Sequence, residues 1–330
     1  MRPHALILYD GARIETGDNL FQDGTVTLSR RGEAQTANIS IHDHQLEIAN
    51  ALRLPTSKNK VEMEVWLGED ARDITKIFHG YAVGWTPSGA PPTLDIMAID
   101  KSRGMRRAER AKNWSNFTPA ALITQIVTAN GLEVDLSRAE LDEKAFGSMI
   151  QSGETDWELL ERVCALWGHE IFERNGTIHI EPGHAEQPTP RIVRYGDNLL
   201  SWSFEIDEKT PSRAANIELL GGEDAIEGED TEARARDIRL EGTGMAVTNL
   251  DFPSYTDQAI ERAAAAQAKA RKVWTGSISV NAVWPDLTQQ SQIVLQGLGP
   301  RFSTVWNVER VVHHLTRPQV DLSIYNGGAP

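Results

Sequence analysis

Thr25-Val-Thr-Leu-Ser29, Ala37-Asn-Ile-Ser-Ile41, Val61-Glu-Met-Glu-Val-Trp-Leu-Gly68, Ile77-Phe-His-Gly-Tyr-Ala-Val83 and Thr93-Leu-Asp-Ile-Met-Ala-Ile99 are short blocks in which apolar and polar residues alternate. A period of two puts one set of side chains on each face of a strand. The order returns near the other end of the chain, in Leu200-Ser-Trp-Ser-Phe204, Ala215-Asn-Ile-Glu-Leu219, Gln292-Ile-Val-Leu-Gln-Gly297, Val305-Trp-Asn-Val-Glu-Arg-Val311 and Val320-Asp-Leu-Ser-Ile324. Collinear blocks, with Leu-Asp-Ile in one series answered by Val-Asp-Leu in the other, read as a duplicated strand set whose loops vary in length.

Working outward, residues 1–100 carry turn signals at Asp10-Gly11, Asp23-Gly24, Pro55, Gly68 and Ser88-Gly89, which predicts a barrel or sandwich. Residues 101–190 change character. Thr118 can cap free amides with Pro119 at the first helical position, and Leu122, Ile123, Ile126 and Val127 then form one face, ended by Asn130-Gly131. Thr155-Asp-Trp-Glu158 is a capping box for a second helix that puts Trp157, Leu160, Cys164 and Trp167 on one face before Gly168. Asn175-Gly176 joins two strand runs as a hairpin.

Pro188 and Pro190 precede the second strand series, which occupies 191–220 and 277–330. Its interruption, 221–276, holds an acidic stretch, Glu223 to Asp237, and an Ala-rich run from Thr256 to Trp274 with high helix propensity. The expected class is therefore mainly β with α+β: two similar barrel-like domains, a small α+β domain between them, and a helix-containing insertion in the second.

The chain has 330 residues, 47 acidic and 33 basic side chains and a formal charge of -14, which argues against a surface that coats nucleic acid. The lone cysteine, Cys164, excludes an internal disulfide framework and reads as a buried small hydrophobe in a chain assembled in a reducing cytoplasm. Ala5-Leu-Ile-Leu8 is too brief for a signal-peptide core, and the longest apolar runs fall short of a membrane span, so neither secretory export nor membrane insertion is expected.

Candidate chemistry is thin. Six basic residues lie between Lys101 and Lys112, among them Arg103, Arg106, Arg107 and Arg110; without an aromatic stacking series they read as a solvated connector rather than a phosphate site. Asp156, Glu158 and Glu161 crowd one helix, whereas glycosidase carboxylates face each other across a cleft. His313 and His314 point to opposite faces of a strand, and His179 to His184 makes the other histidine cluster. No His-Glu-x-x-His, Walker loop, Gly-x-Ser-x-Gly or Gly-x-Gly-x-x-Gly occurs. No catalytic, cofactor-binding or metal residues are assigned, and no enzyme is expected.

Gln151-Ser-Gly-Glu-Thr-Asp-Trp-Glu-Leu-Leu-Glu-Arg-Val-Cys-Ala-Leu-Trp-Gly168 resembles a stretch of the phage late control protein D family. Phe78-His-Gly-Tyr81 is similar to its Phe-x-Gly-Tyr strand, Phe117 through Gly131 to its Thr-Pro helix, and Val308 to His313 to its closing strand. Trp284-Pro-Asp-Leu-Thr-Gln-Gln-Ser291 lacks the family's two turn glycines, which leaves that turn's geometry open.

The resemblance implies a baseplate hub similar to the amino-terminal part of type VI secretion spike proteins. Such a hub is a homotrimer in which two tube domains per chain match a hexameric tail tube to a threefold spike, around a channel that passes DNA without binding it specifically. It implies tail tube and spike proteins as partners, with a tape-measure protein as a further one, and a place in the virion tail or baseplate after synthesis in the bacterial host cytoplasm. Because the last strand block ends near Pro330, the spike is expected to be a separate protein. A tail-associated peptidoglycan hydrolase using Asp156, Glu161 and Glu170 is the alternative, and a nucleic-acid module on the basic run is the third reading.

Overall fold

In a computed structural model of the chain, residues 3–326 are described except 16–20, 31–32, 44–45, 54, 57–59, 90, 142–147, 167–168, 183–189, 207–215, 218–237 and 240–273. The first part holds β1 (His4–Tyr9), β2 (Ala12–Glu15), β3 (Phe21–Ser29), β4 (Thr36–His42), α1 (Glu47–Ala51), β5 (Glu62–Gly68), β6 (Ile74–Gly89) and β7 (Pro92–Asp100). The middle holds β8 (Glu109–Ser115), α2 (Pro119–Ala129), β9 (Glu133–Asp135), β10 (Ser148–Thr155), α3 (Asp156–Leu166), β11 (His169–Arg174) and β12 (Thr177–Pro182). The last part holds β13 (Arg191–Arg194), β14 (Leu199–Ile206), β15 (Asn216–Ile217), β16 (Ile238–Arg239), β17 (Trp274–Val280), β18 (Gln292–Gln296), β19 (Val305–His314) and β20 (Val320–Asn326). The chain is mainly β, as the alternation predicts.

Both ends of the chain enter one 13-stranded sheet. Its first half runs β3-β4-β7-β6-β5 and its second β14-β17-β20-β19-β18, so these four pairings of one half each have a counterpart in the other; beyond them β5 continues into β1 and then β2, each antiparallel, whereas β18 pairs parallel with β13. The ladders share irregularities as well as order. A β-bulge interrupts β3·β4 between Phe21 and Asp23 and β14·β17 between Leu199 and Ser201. Another interrupts β6·β7 between Ala82 and Gly84 and β19·β20 between Val308 and Arg310. Bulges fix register, because an unmatched extra residue would turn every later side chain to the other face.

One block of the sequence reading is corrected by this register. The place of β4 in the second half is taken by β17, whereas the described part of the Ala215–Leu219 block, β15, pairs with β16 in a separate two-stranded sheet. Trp274, Thr275 and Gly276, read as the end of the insertion, pair with Asn326, Tyr325 and Ile324. The acidic stretch 223–237 and the Ala-rich run before Trp274 lie outside the described residues.

The halves join where β19 pairs antiparallel with β3, from Arg310 opposite Ser29 to His314 opposite Thr25. Beneath this junction a single apolar cluster extends from Ala5 to Ile324 and includes Phe78, Val26, Val311 and Trp306. Burying that surface is the main drive for holding the two ends together.

The middle segment has its own core, built from Leu122, Ile123, Ile126 and Val127 of α2 and Leu159, Leu160, Val163 and Cys164 of α3. Its caps form as read: Thr118 Oγ1 accepts from Ala121 N at 3.2 Å, Thr155 N donates to Glu158 Oε2 at 2.8 Å, and Glu158 N donates to Thr155 Oγ1 at 3.2 Å. Asn175 and Gly176 take φ of 53° and 95° in the β11–β12 hairpin. Trp167 and Gly168 lie outside the described residues.

The glycine-free turn after Trp284 closes through backbone bonds and the Ser291 hydroxyl. Leu287 N donates to Trp284 O at 3.1 Å, Ser291 N to Thr288 O at 3.0 Å, and Thr288 N to Ser291 Oγ at 2.9 Å.

Candidate functional site: a groove present twice

On the face of the sheet turned away from the apolar core, two grooves of nearly equal volume, about 330 and 360 Å³, lie one in each half. Matching the halves at their bulges makes the linings correspond residue by residue. Asp23 answers to Ser201, Thr25 to Ser203, Asn38 to Ser277, Ser40 to Ser279, Thr86 to Val312, Asp95 to Asp321 and Met97 to Ser323. Gly84 answers to Arg310, which brings a cation into the second groove. The repeat thus extends from backbone pairing to a polar surface lined by hydroxyls, amides and carboxylates.

Asp321 is the most strongly held of these groups. Its Oδ1 accepts from Ser279 Oγ at 2.5 Å and from Gln319 Nε2 at 2.8 Å, and its Oδ2 lies 2.7 Å from His314 Nε2. Arg317 Nη2 lies 3.2 Å from His314 Nδ1, and a guanidinium can only donate, so Nδ1 accepts and Nε2 carries the proton given to Asp321. Burial opposes ionisation of Asp321, yet the hydrogen bonds from Ser279, Gln319 and His314 together hold its carboxyl below the ordinary range. In the other groove Asp23 Oδ1 accepts from Thr316 Oγ1 and Gly24 N at 2.7 and 2.8 Å. Such carboxylates disfavour a polyanion at the surface.

The residues singled out from sequence for other chemistry are engaged elsewhere. Asp156 accepts from Asn130 Nδ2 at 2.9 Å and Gln151 Nε2 at 3.2 Å and pairs with Arg110 at 3.2 Å. Glu161 accepts from Trp157 Nε1 at 2.8 Å, Glu170 pairs with Arg30, and Glu158 caps its own helix. These carboxylates are tied to separate structural partners. His313 meets the Leu287 carbonyl while His314 meets Asp321, and His179 pairs with Asp135 at 3.2 Å; His184 lies outside the described residues. Among the described residues no cluster of three or more His, Cys, Asp or Glu is arranged to hold a metal ion.

Residues 107–112 of the basic run are exposed, as a solvated connector would be, while its first part is tied into the fold. The Arg106 guanidinium sits 3.5 Å from the Trp157 ring centre and donates to Ser102 Oγ at 2.7 Å; Lys112 sits 3.4 Å from the Trp114 ring centre. Sequence reasoning missed both grooves. The weak signals were the Leu-Asp-Ile and Val-Asp-Leu blocks, whose aspartates occupy equivalent places in the two linings.

Among the described residues no helix is long and apolar enough to cross a membrane. No curated protein matches the chain.

Solved structures do. The 43 kDa tail protein of prophage MuSo2 from Shewanella oneidensis is 13% identical, with a TM-score of 0.66 over 98% of each chain. The tail protein from Neisseria meningitidis MC58 is 13% identical, with a TM-score of 0.70 over 98% of this chain and 96% of that one. The E. coli c3393 protein, a component of the type VI secretion system, is 9% identical, with a TM-score of 0.55 over 92% of this chain and 73% of that one. The chain therefore has the fold of phage tail proteins and type VI hub-like proteins, in agreement with the resemblance read from its motifs. The family model described as the Alg8 N-terminal domain matches residues 36–317, and the chain belongs to that family.

Proposed function

We propose that this protein is a structural hub of a phage tail baseplate or related injection machine, and not an enzyme. Residues 1–100 form one barrel-like tube domain and residues 191–220 with 274–330 the other, with the α+β domain 101–190 between them and the insertion 221–273 in the second. Three chains present six similar faces to a hexameric tail tube and a threefold face to a spike protein. A tape-measure protein is a further partner. The grooves line the central channel, whose carboxylates and hydroxyls let DNA pass without gripping it. The protein works in the virion tail or baseplate after synthesis in the host cytoplasm.

The observation that carries this reading is the repeated ladder, with the same order of five strands, two bulges in common and matching grooves in both halves. A sixfold partner can meet a threefold assembly only if each chain supplies two equivalent surfaces. The fold shared with phage tail and type VI proteins supports the setting. Mass measurement on the protein alone, and mixed with its tube and spike proteins, tests it. The expected species is a trimer at three times 36.6 kDa, about 110 kDa. A monomer in every mixture rejects it.

A further inference from the structure

The repeat holds through five strands of each half but is incomplete in its junctions. Along one side, β19 pairs first with β18, through Val305–Asn307, and then with β3, through Arg310–His314. Its counterpart β6 pairs on that side with β5 through Ile74–Tyr81, and beyond the bulge at Val83 the stretch Gly84–Gly89 has no strand against it among the described residues. β14, the counterpart of β3, pairs with β17 and ends the sheet among the described residues. Among the described residues one chain therefore contains one finished junction, β19·β3, and two open halves of another.

We infer that β14 of one protomer pairs antiparallel with the outer half of β6 of the next, in the register of β19·β3. This rests on the trimeric hub reading and supplies its contact: three built junctions alternate with three seams and close a ring. In the built junction Arg30 N donates to Glu309 O and Leu315 N to Gly24 O, each at 3.0 Å, which fixes Val312 opposite Thr27 as a non-hydrogen-bonded pair. Transferred through the bulges, that register sets Trp85 opposite Ile206, Thr86 opposite Glu205, Pro87 opposite Phe204 and Gly89 opposite Trp202.

The side chains suit these placements. In the built junction small Gly24 faces Leu315; across the seam small Gly89 faces Trp202, which is 47% exposed in the single chain. Pro87 and Gly89 meet Phe204 and Trp202 on the core side, while Thr86 and Ser88 meet Glu205 and Ser203 on the groove side, so apolar surface meets apolar and the polar lining runs on. Pro87 supports the direction. Asp43 N donates to Pro92 O and Asp100 N to Gln35 O, so the even residues of β7 bond to β4 and its odd ones to β6; residues 85 and 87 then turn their amide positions to the open edge. The proline forgoes one ladder bond there and guards the free edge against indiscriminate strand addition.

The test is a disulfide trap with Thr86→Cys and Glu205→Cys in one chain, where the proposed register puts the Cα atoms about 4.5 Å apart, within disulfide reach. The native Cys164 is fully buried and stays out of the oxidation. Mild oxidation of the hub, alone and with its tube and spike proteins, is expected to give covalent dimers and trimers that thiol reverses, while Thr86→Cys with Ser203→Cys, two residues out of register, traps several-fold less. Thr27→Cys with Val312→Cys serves as the intramolecular control. As a second measurement, Trp202→Ser is expected to shift the monomer–trimer midpoint at least tenfold in concentration with an unchanged circular dichroism spectrum. A trimer by mass that gives no 86–205 bond, or no shift with Trp202→Ser, overturns the seam and leaves the hub standing. A monomer under all conditions overturns both.

Discussion

Arg30 and Tyr325, 295 residues apart in the chain, meet with the guanidinium donating to the phenol oxygen at 2.5 Å. Arg30 lies just past β3, Tyr325 lies on β20, and the same guanidinium pairs with Glu170 of β11, so one side chain links both halves of the sheet to the middle unit. With Arg30 only 3% exposed, its removal leaves Glu170 largely desolvated and unpaired. Arg30→Ala is expected to cost about 3 kcal/mol in chemical denaturation at fixed protein concentration, and Tyr325→Phe about 1 kcal/mol. Equal small losses would show that the joint is held by apolar packing instead.

Glu173 supports the same joint with the opposite pH dependence to most carboxylates. Its backbone carbonyl accepts from Gln35 and its carboxylate from Gly176 N, while Gln35 N donates to Asp100 Oδ2 at 2.6 Å. Burial first, then the charge of Asp100, pushes the Glu173 carboxyl well above its usual range, only partly opposed by Gly176, Lys101 and Arg106. A raised acid pKa means that the folded state holds a proton that the unfolded state releases. Its contribution is present below the unfolded value and is lost as pH rises toward the folded one. Glu173→Gln should therefore gain stability over wild type above neutral pH, with the gap shrinking as pH falls toward 4.5. Thermal melts at pH 4.5, 6 and 8 measure the gap, and a gap independent of pH would refute the assignment.

What could be read in the sequence was local. Thr155 and Glu158 satisfy each other's helix within four residues, and Asn175-Gly176 supplies the positive φ that its hairpin needs, so both signals survive without knowledge of the rest of the chain. The second-half counterpart of β4 was not local. Ala215-Asn-Ile copies Ala37-Asn-Ile in letters, yet the choice between that block and Trp274–Val280 was made by pairing with β20, far along the chain. The grooves were hidden for the same reason: Asp95 and Asp321 acquire their lining partners only when register brings strands distant in sequence side by side.

Gly80 shows how tight that register is. A Cβ there would sit 2.2 Å from the Ile99 carbonyl oxygen and 2.7 Å from the Phe78 ring, in the Phe-His-Gly-Tyr strand whose spacing was legible. At Gly84 the nearest atom would be Met97 Cβ at 3.2 Å. Gly80→Ala must displace backbone and should cost roughly 3 kcal/mol or more, whereas Gly84→Ala should cost under about 1 kcal/mol. Urea unfolding of the two variants side by side decides, and equal costs would mean that β6 can shift against β7.

His313 should set the acid limit of the sheet. It is fully buried on β19 with Nε2 donating to the Leu287 carbonyl at 3.1 Å, and its Nδ1 meets no hydrogen-bond partner among the described residues. Burial dominates, outweighing the Leu287 carbonyl and the nearby Asp286, with His314 adding repulsion, and the pKa is pulled down to about 4. The unfolded chain, titrating near 6.5, then binds the extra proton throughout the interval between the two values. Stability from this group is full above pH 6.5 and declines as pH falls to 4, at up to about 1.36 kcal/mol per unit and roughly 3 kcal/mol in all. Asp321, held below the ordinary carboxylate range, titrates beneath that window and does not mimic it. His313→Gln keeps an N–H for Leu287 but cannot titrate. Denaturation midpoints at pH 7.5, 5.5 and 4.5 should converge for variant and wild type as the pH falls, the wild type losing its advantage; parallel curves would mean that another group sets the acid limit.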